Sequence, residues 1–519
     1  MDVKNYNIDP SLCFDDILIS PLYSKIKSRK DINLSINLGT NGRNLLLKTP
    51  VISSPMDTVS MSNMCIKMAL YGGIGILHRY QSIESQVSEL QKVKRYLQYI
   101  ITKPYTLKLK NTIDYVKELI KEHKVLTFCV VDDTNHLLGI LTNRDMEYII
   151  NTNGNTILVE NIMNPLNKLH IIKISTELFT ILIDDKNNIE FINIISNAKK
   201  MMIQTKVEKI PIVDIETNIL LGLITWKNVK HFEDNQSQSC LDNKGKLCCG
   251  AAIGITDDWN QRLESLIEEG ADCICIDVAS GHNENLGIVL EQIRSKYHNL
   301  ILIAGNICTG EGYKYLADKD IDCIRVGIGN GSICSTRKET GIGRGQFTSI
   351  MEVCDYKIKF KLHSHIISDG GSLNSTGNKA KAIIAGASAI MLGRTLAATE
   401  ESPSMIIYKD GQKYKYTRGM ASTSANMSKN ELCGYKKDKC NSNEDIIKKH
   451  SEGIDGYTHL CGSVKDVIDD IVSGVKSSFS YIGCENIYQV HQLRYDGKIL
   501  FNLITSLGMN ETNTRLVKF

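Results

Sequence analysis

The chain has no marked excess of charge of either sign. Its 61 basic residues stand against 58 acidic ones, a formal charge of +3. That balance gives no electrostatic ground for a nucleic acid or an anionic membrane as the main partner. Long hydrophobic runs are missing too. No apolar stretch reaches the roughly 18 residues of a membrane span, so no transmembrane helix is expected. Met1 to Pro10 is polar and lacks a signal-peptide core. No CxxC pair occurs, although there are 16 cysteines. Cys273, Cys275 and Cys323 sit inside apolar runs, as reduced, buried thiols do, and a disulfide framework is not expected. The one loose cluster of ligand types, Cys433, Cys440, His450, His459 and Cys461, matches no zinc spacing. A reduced, cytoplasmic setting is the expectation.

What is present is an ordinary globular composition, 42% hydrophobic and 23% charged, over 519 residues. At about 150 residues per domain that allows about three domains' worth of chain. Short apolar runs recur, each ending in a polar or glycine-rich loop: Thr49–Ser53, Ile74–Leu77, Gly250–Ile253, Cys273–Ile276, Leu300–Ala304, Cys323–Val326, His365–Ser368 and Ser388–Leu392. Continuous apolar runs of this length suit strands buried on both faces of a parallel sheet. Helical spacing lies between several of them, as in Asp258–Glu269, stopped by Gly270, and Lys379–Ala385, stopped by Gly386. Eight such runs with helical crossovers predict an α/β fold, a (β/α)8 or TIM barrel.

Between the second and third runs the pattern breaks. Phe128–Asp132 followed by Leu138–Asp145 is repeated as Ile210–Asp214 followed by Leu221–Asn228. Each copy reads strand, turn, strand, polar helix start, an internal repeat. It resembles a tandem CBS pair (a Bateman domain), a regulatory module that often binds adenine or guanine nucleotides. The resemblance implies ATP or GTP as its ligand. Asp145, which would cap the helix and face a ribose, becomes Asn228 in the second copy. The expected division is barrel over 1–101, CBS pair over 102–232, and barrel with flap and C-terminal segment over 233–519.

In such a barrel, chemistry gathers at the C-terminal ends of the strands. The segments there are Ser54-Pro55-Met56-Asp57, His78-Arg79, Asp277 to Gly281, Gly305-Asn306, Gly327 to Cys334, Asp369-Gly370-Gly371 and Gly393-Arg394. Glycines and short polar residues dominate, as a phosphate held by backbone N–H groups requires. The last two loops, with Ser372 and a hydroxyl from Ser332, are where barrels usually place a phosphate. The loop from Gly329 to Thr336 puts Cys334 at the end of a glycine-rich turn. Carbonyls there can point inward and suit a monovalent cation, and a thiol among oriented N–H groups can attack an electrophile.

Gly327 to Gly343 resembles the catalytic cysteine loop shared by IMP dehydrogenases and GMP reductases. Ser53 to Val59, Gly72 to Gly75 and Ile367 to Gly371 extend the resemblance over nearly the whole barrel. It implies a thioimidate between Cys334 and purine C2. The nucleotide would be held by Ser54, Met56, Asn306, Gly331, Ser332, Asp369, Gly371, Gly393, Arg394, Met420 and Gly453. The cofactor would lie against Asp277, Ala279, Ser280 and Arg79. Potassium would sit on the main-chain carbonyls of Gly329, Gly331 and Cys334. A homotetramer or octamer is implied.

Both enzymes share the covalent intermediate. The dehydrogenase passes hydride from IMP to NAD and hydrolyses the adduct to XMP. The reductase expels ammonia from GMP and takes hydride from NADPH to give IMP. In the dehydrogenases an Arg-Tyr pair on a flap activates the water. The corresponding segment, Met427 to Glu452, contains no arginine, and Tyr435-Lys436 is the nearest substitute. Asp277 to Gly281, Gly305 to Glu311, Thr336 to Gly341, Lys409 to Lys415 and Arg418 to Ser422 look like GMP reductase. Thr336 and Glu452 match the reductase pair that handles the ammonia proton. The CBS pair points the other way, since dehydrogenases usually carry it. Arg79 and Gly345 also depart from the lysine and proline common there. The reading is an NADPH-dependent GMP reductase acting on GMP and IMP, with IMP dehydrogenase as the alternative. A nucleotide sensor without catalysis is disfavoured, because Cys334, Thr336 and Asp277 are all retained.

Overall fold

The computed structural model describes residues 9–123, 125–142, 144–146, 157–256, 258–371, 375–432, 451–505 and 507–508. Ser372, Cys433, Tyr435, Lys436, Cys440 and His450 lie outside the described residues, as does most of the expected flap.

Eight strands close into a barrel: β1 (Val51–Ser53), β2 (Ile74–Leu77), β3 (Cys249–Ile253), β4 (Cys273–Asp277), β5 (Ile301–Ile307), β6 (Cys323–Val326), β7 (His365–Asp369) and β8 (Ala389–Leu392). They run in chain order, all parallel, with β8 paired to β1 and β2 to β3. Every predicted run is one of them. Residues 51–53, 74–77, 249–253, 323–326 and 389–392 are buried throughout, which is why these strands read as unbroken apolar runs.

The crossover helices begin on local caps. The Asn283 side chain accepts the Asn285 N–H, Thr309 that of Gly312, and Ser375 that of Asn378. Three such starts set helices Glu284–Lys296, Gly310–Ala317 and Thr376–Ile384 after β4, β5 and β7. The long helix Val464–Ile482, started by a Ser463/Asp466 capping box, packs on Thr376–Ile384 and Ser62–Leu70. A three-stranded antiparallel sheet, Ile406–Lys409, Gln412–Arg418 and Asp455–His459, follows β8 and leads the chain back to the cysteine loop.

The chain divides into two compact units. One comprises Met1–Tyr96, Gln238–Asp242 and Leu247–Phe519, and the other Leu97–Ser237 and Asn243–Lys246. The second unit is wider than 102–232 because its core draws in flanking residues. Ile101 pairs with Leu223, and the Tyr99 ring packs on Phe232 and Phe191 at 5.0 and 6.3 Å.

Within this unit the repeat is visible as two antiparallel pairs, Thr127–Val131 with Leu137–Thr142 and Lys209–Asp214 with Leu220–Thr225. The second strands of the two copies share one alternation of buried and half-buried positions. Both hairpins turn on an asparagine in the left-handed region, Asn135 (φ 68°) and Asn218 (φ 58°). The copies join reciprocally there: Leu137 N–H donates to Asn218 O, and Leu220 N–H to Asn135 O. Asp145 Oδ2 accepts the Thr142 N–H and hydroxyl at 2.8 and 2.6 Å. Asn228 Oδ1 does the same for Thr225 at 3.1 and 2.5 Å. The Asp-to-Asn change therefore preserves the cap while removing a charge.

Candidate active site

The C-terminal ends of the strands open into a cavity of about 310 Å³. It is lined by Ser54, Met56, Arg79, Asp277, Ala279, Asn306, Gly329, Gly331, Cys334, Thr336, Asp369, Met420 and Glu452 from the expected set. Tyr80, Arg325, Ile328, Asn330 and Gly419 are among the other lining residues.

Cys334 follows β6 on the glycine-rich turn and is exposed. Most other described cysteines, including Cys249, Cys273, Cys275 and Cys323, are buried. Burial pushes the Cys275 thiol up to about 12, so it stays protonated and inert. Cys334 Sγ lies 3.1 Å from Thr336 Oγ1, and Thr336 Oγ1 donates to Glu452 Oε2 at 2.8 Å. Glu452 arrives from 116 residues away in sequence. Backbone bonds hold it there: Ser335 N–H donates to Glu452 O at 2.9 Å, Ile454 N–H to Ile333 O at 3.0 Å, and Cys334 and Gly453 form a β-bridge. Gly453 must be glycine, since a Cβ there would stand 2.9 Å from Ser422 N and 3.2 Å from Gly419 Cα.

Across the cavity, Arg325 at the end of β6 spans two carboxylates. Its Nη1 donates to Asp277 Oδ1 at 2.7 Å and its Nη2 to Asp369 Oδ2 at 2.8 Å. Burial pushes the Asp277 carboxyl up, but Arg325 and Arg79 beside it outweigh this and hold it below the usual carboxylate range. Asn306 Nδ2 donates to Asp369 Oδ2 and to Gly327 O, which fixes the amide so that its oxygen is the free end. That Oδ1 is buried and meets no hydrogen-bond partner among the described residues; Arg79 Nε also makes no hydrogen bond, its ion pair with Asp277 Oδ2 standing at 3.8 Å. Asn330 Nδ2 reaches Gln346 Oε1 and the Asp369 carbonyl at 2.5 and 2.8 Å. Gly371, at φ 81°, passes where a Cβ would lie 2.5 Å from Gln346 Cβ.

Six expected residues do not line the cavity: Ser332, Gly371, Gly393, Arg394, Gly453 and Ser280. Ser332, Ser280 and Arg394 are exposed. Gly371 adjoins the lining Gly370, Gly393 packs on Met56 and Ser54, and Gly453 bridges Cys334. Arg325, Tyr80, Asn330 and Gln346 were not expected as site residues. A signal existed for Arg325, a charge inside an otherwise apolar run. Arg418 is tied to Asp57 by its Nε and Nη2 at 2.8 and 2.5 Å. Asp57 N–H points to Met420 Sδ, and the Tyr80 hydroxyl donates to Met420 O at 3.0 Å, so Met420 is pinned from two sides.

In the second unit, a cavity of about 570 Å³ is lined by Arg144, Asp145, Lys168, His170, Lys206 and Lys209 among others. Among the described residues no group of metal-ligand side chains comes together, and no helix is long and apolar enough to cross a membrane.

A parallel eight-stranded barrel whose strand ends gather an exposed cysteine, a hydroxyl and a carboxylate in one cavity defines an enzyme of the barrel class. Residues 11–515 match the IMP dehydrogenase / GMP reductase domain, and the chain belongs to that family, whose members are oxidoreductases using a nicotinamide dinucleotide. It is 35% identical over 482 residues to the inosine-5'-monophosphate dehydrogenase of Nitrosopumilus maritimus, covering 93% of this chain and 94% of that relative. Against that of Aquifex aeolicus the identity is 34% over 515 residues, covering 98% and 96%. Among solved structures it is similar to GMP reductase of Trypanosoma brucei in complex with guanosine 5'-monophosphate, at TM-score 0.78 and 31% identity, covering 99% of both chains. The same enzyme in complex with guanosine 5'-triphosphate matches at TM-score 0.69 and 28% identity, covering 96% of this chain and 99% of that one.

Proposed function

We propose that the protein is an NADPH-dependent GMP reductase that converts GMP to IMP and ammonia. The observation that carries this is the unbroken line from Cys334 Sγ through Thr336 Oγ1 to Glu452 Oε2, at 3.1 and 2.8 Å. As Sγ adds to purine C2 the thiol proton passes through Thr336 to the Glu452 carboxylate, and Glu452 returns it through Thr336 to the C2 amino group, which leaves as ammonia. This yields a thioimidate on Cys334. A threonine hydroxyl alone has too high a pKa for the task, and a carboxyl behind it makes the relay workable. Hydride at C2 then displaces Sγ and gives IMP.

A nicotinamide fits the opposite wall. Its carboxamide has one acceptor and donors, and the cavity holds a donor and an acceptor that make no hydrogen bond among the described residues, Arg79 Nε and Asn306 Oδ1. NADPH supplies the hydride when bound, and Asp277 and Ala279 border the space it would take. Asp369, Met56 and Met420 would hold the nucleotide. A potassium ion would be held by the carbonyls of Gly329, Gly331 and Cys334, where it would brace the loop. The Gly331 carbonyl accepts the Cys334 N–H at 3.1 Å and keeps its second lone pair. The second unit would act as a CBS pair binding ATP or GTP in the cavity lined by Arg144, Lys168, Lys206 and Lys209, whose cations suit phosphates.

A second reading, IMP dehydrogenase, is favoured by the names of the relatives at 34–35% identity. Absorbance at the reduced-nicotinamide band decides between them. GMP with NADPH should lose the signal and release ammonia. Rapid multiple-turnover gain of signal with IMP and NAD, yielding XMP, would make the dehydrogenase correct.

A further inference from the structure

Arg325 is the most deeply buried charge at the cavity, with 6% of its side chain exposed. It carries two obligations at once. Nη1 serves Asp277 on β4, and Nη2 and Nε serve a single oxygen of Asp369 on β7, at 2.8 and 3.2 Å. Beyond Asp277, its other oxygen lies 3.8 Å from Arg79 Nε. The four groups form one line of alternating charge, Arg79, Asp277, Arg325, Asp369, across the cavity wall. Strand β5 makes room for it at Gly305, where a Cβ would come within 2.7 Å of Arg325 Cβ.

A guanidinium stays charged at all working pH values and presents its donors in a rigid fork. Arg325 therefore cannot be neutralised. What it withdraws from one carboxylate it offers to the other, and in this buried position the exchange is poorly screened. The two carboxylates face different ligands if the reading above holds, Asp277 the nicotinamide and Asp369 the nucleotide.

We infer that Arg325 is a positioning residue that couples the two ligand sites and makes the nucleotide's affinity depend on the charge of the nicotinamide ring. An oxidised ring is cationic and competes with Arg325 for Asp277. Arg325 then shifts its bonding towards Asp369 and weakens that carboxylate as an acceptor for the nucleotide. A reduced ring is neutral and makes no such demand. The nucleotide and the oxidised dinucleotide loosen one another, and hydride transfer itself primes the site to discharge both products. The inference rests on the proposed placement of nucleotide and dinucleotide.

Calorimetric titration of IMP into the full-length Cys334→Ala protein, in which no covalent chemistry occurs, tests it. The dissociation constant of IMP is measured alone, with saturating NADP and with saturating NADPH. The expected result is weaker binding with NADP than with NADPH by at least about fivefold, a typical coupling between sites. In Arg325→Lys, which keeps the charge but loses the fork, the ratio should fall below about twofold. Asp277→Asn, close to isosteric, should abolish the ratio equally and hold IMP alone at the weaker affinity seen with NADP, which a merely structural role would not produce. Equal affinities with NADP and NADPH, or a ratio that survives in both variants, would overturn the inference. Failure of IMP to bind at all would instead show in the first titration and remove the reading on which it rests.

Discussion

At the scale of single residues, the chemistry depends on three side chains in line. Cys334 supplies the electron pair, Thr336 the bridge and Glu452 the proton, and each has a separable consequence. Cys334→Ala should abolish turnover and leave nucleotide affinity within about tenfold, because the groups expected to hold phosphate and ribose are separate from the thiol. Equilibrium binding alongside steady-state rates checks this, and retention of more than a few per cent of activity would exclude covalent catalysis. Glu452→Gln keeps the hydrogen bond to Thr336 within reach but has no proton to give. It should slow deamination of GMP by at least about tenfold while sparing hydride exchange between IMP and NADP. The two half-reactions are measured separately, and equal loss in both would make Glu452 structural.

At the scale of elements, the site is assembled by short backbone links between segments distant in sequence. The bridge from Cys334 to Gly453, and the bonds Ser335–Glu452 and Ile454–Ile333, bring the strand Asp455–His459 to the loop after β6. Gly453→Ala puts a methyl group into the contact with Ser422 N, so the segment carrying Glu452 must shift. A displacement of about 1 Å costs on the order of a hundredfold in catalysis. The variant should lose at least tenfold in kcat while its melting temperature stays within a few degrees, since the shift lies at the rim of the barrel and leaves its core intact. Calorimetry with kinetics checks it: a large loss of stability would show that the bridge holds the fold.

At the scale of the whole molecule, two neutral histidines, half-buried His365 and buried His491, set the response to acid. Burial, with Lys357 nearby, pushes His365 down to about 3, and burial pushes His491 down to about 4. His365 Nδ1 lies 2.9 Å from Ser388 Oγ, and His491 Nε2 lies 3.1 Å from Ala387 O. In the unfolded chain histidine titrates near about 6.5. Between that value and the folded one, the unfolded state binds more protons. The stabilisation is therefore fully present above about pH 6.5 and is lost as the pH falls towards 4 and 3. The melting temperature should decline over that window, and His491→Gln should flatten the decline. An unchanged slope in the variant would place the acid sensitivity elsewhere.

The barrel was legible in the sequence because its signal is local. A strand buried on both faces must be apolar at successive positions, and a loop that brings backbone to a ligand must be rich in glycine, so the eight runs and the address of Cys334 stood in plain view. The repeat was legible for the same reason, its copies agreeing down to the turn asparagines. What needed the tertiary structure was everything that joins distant segments. That Thr336 meets Glu452 depends on a strand pairing across more than a hundred residues. That Arg325 belongs to the site depends on the closed barrel bringing the ends of β7, beside it, and of β4, beyond the intervening β5, to one guanidinium. The same closure decides which loop residues face the cavity: Asp369 and Gly331 do, while Ser332 and Arg394 sit beside it with their side chains in solvent. Periodicity says which residues are buried, and only the packed chain says which of them meet.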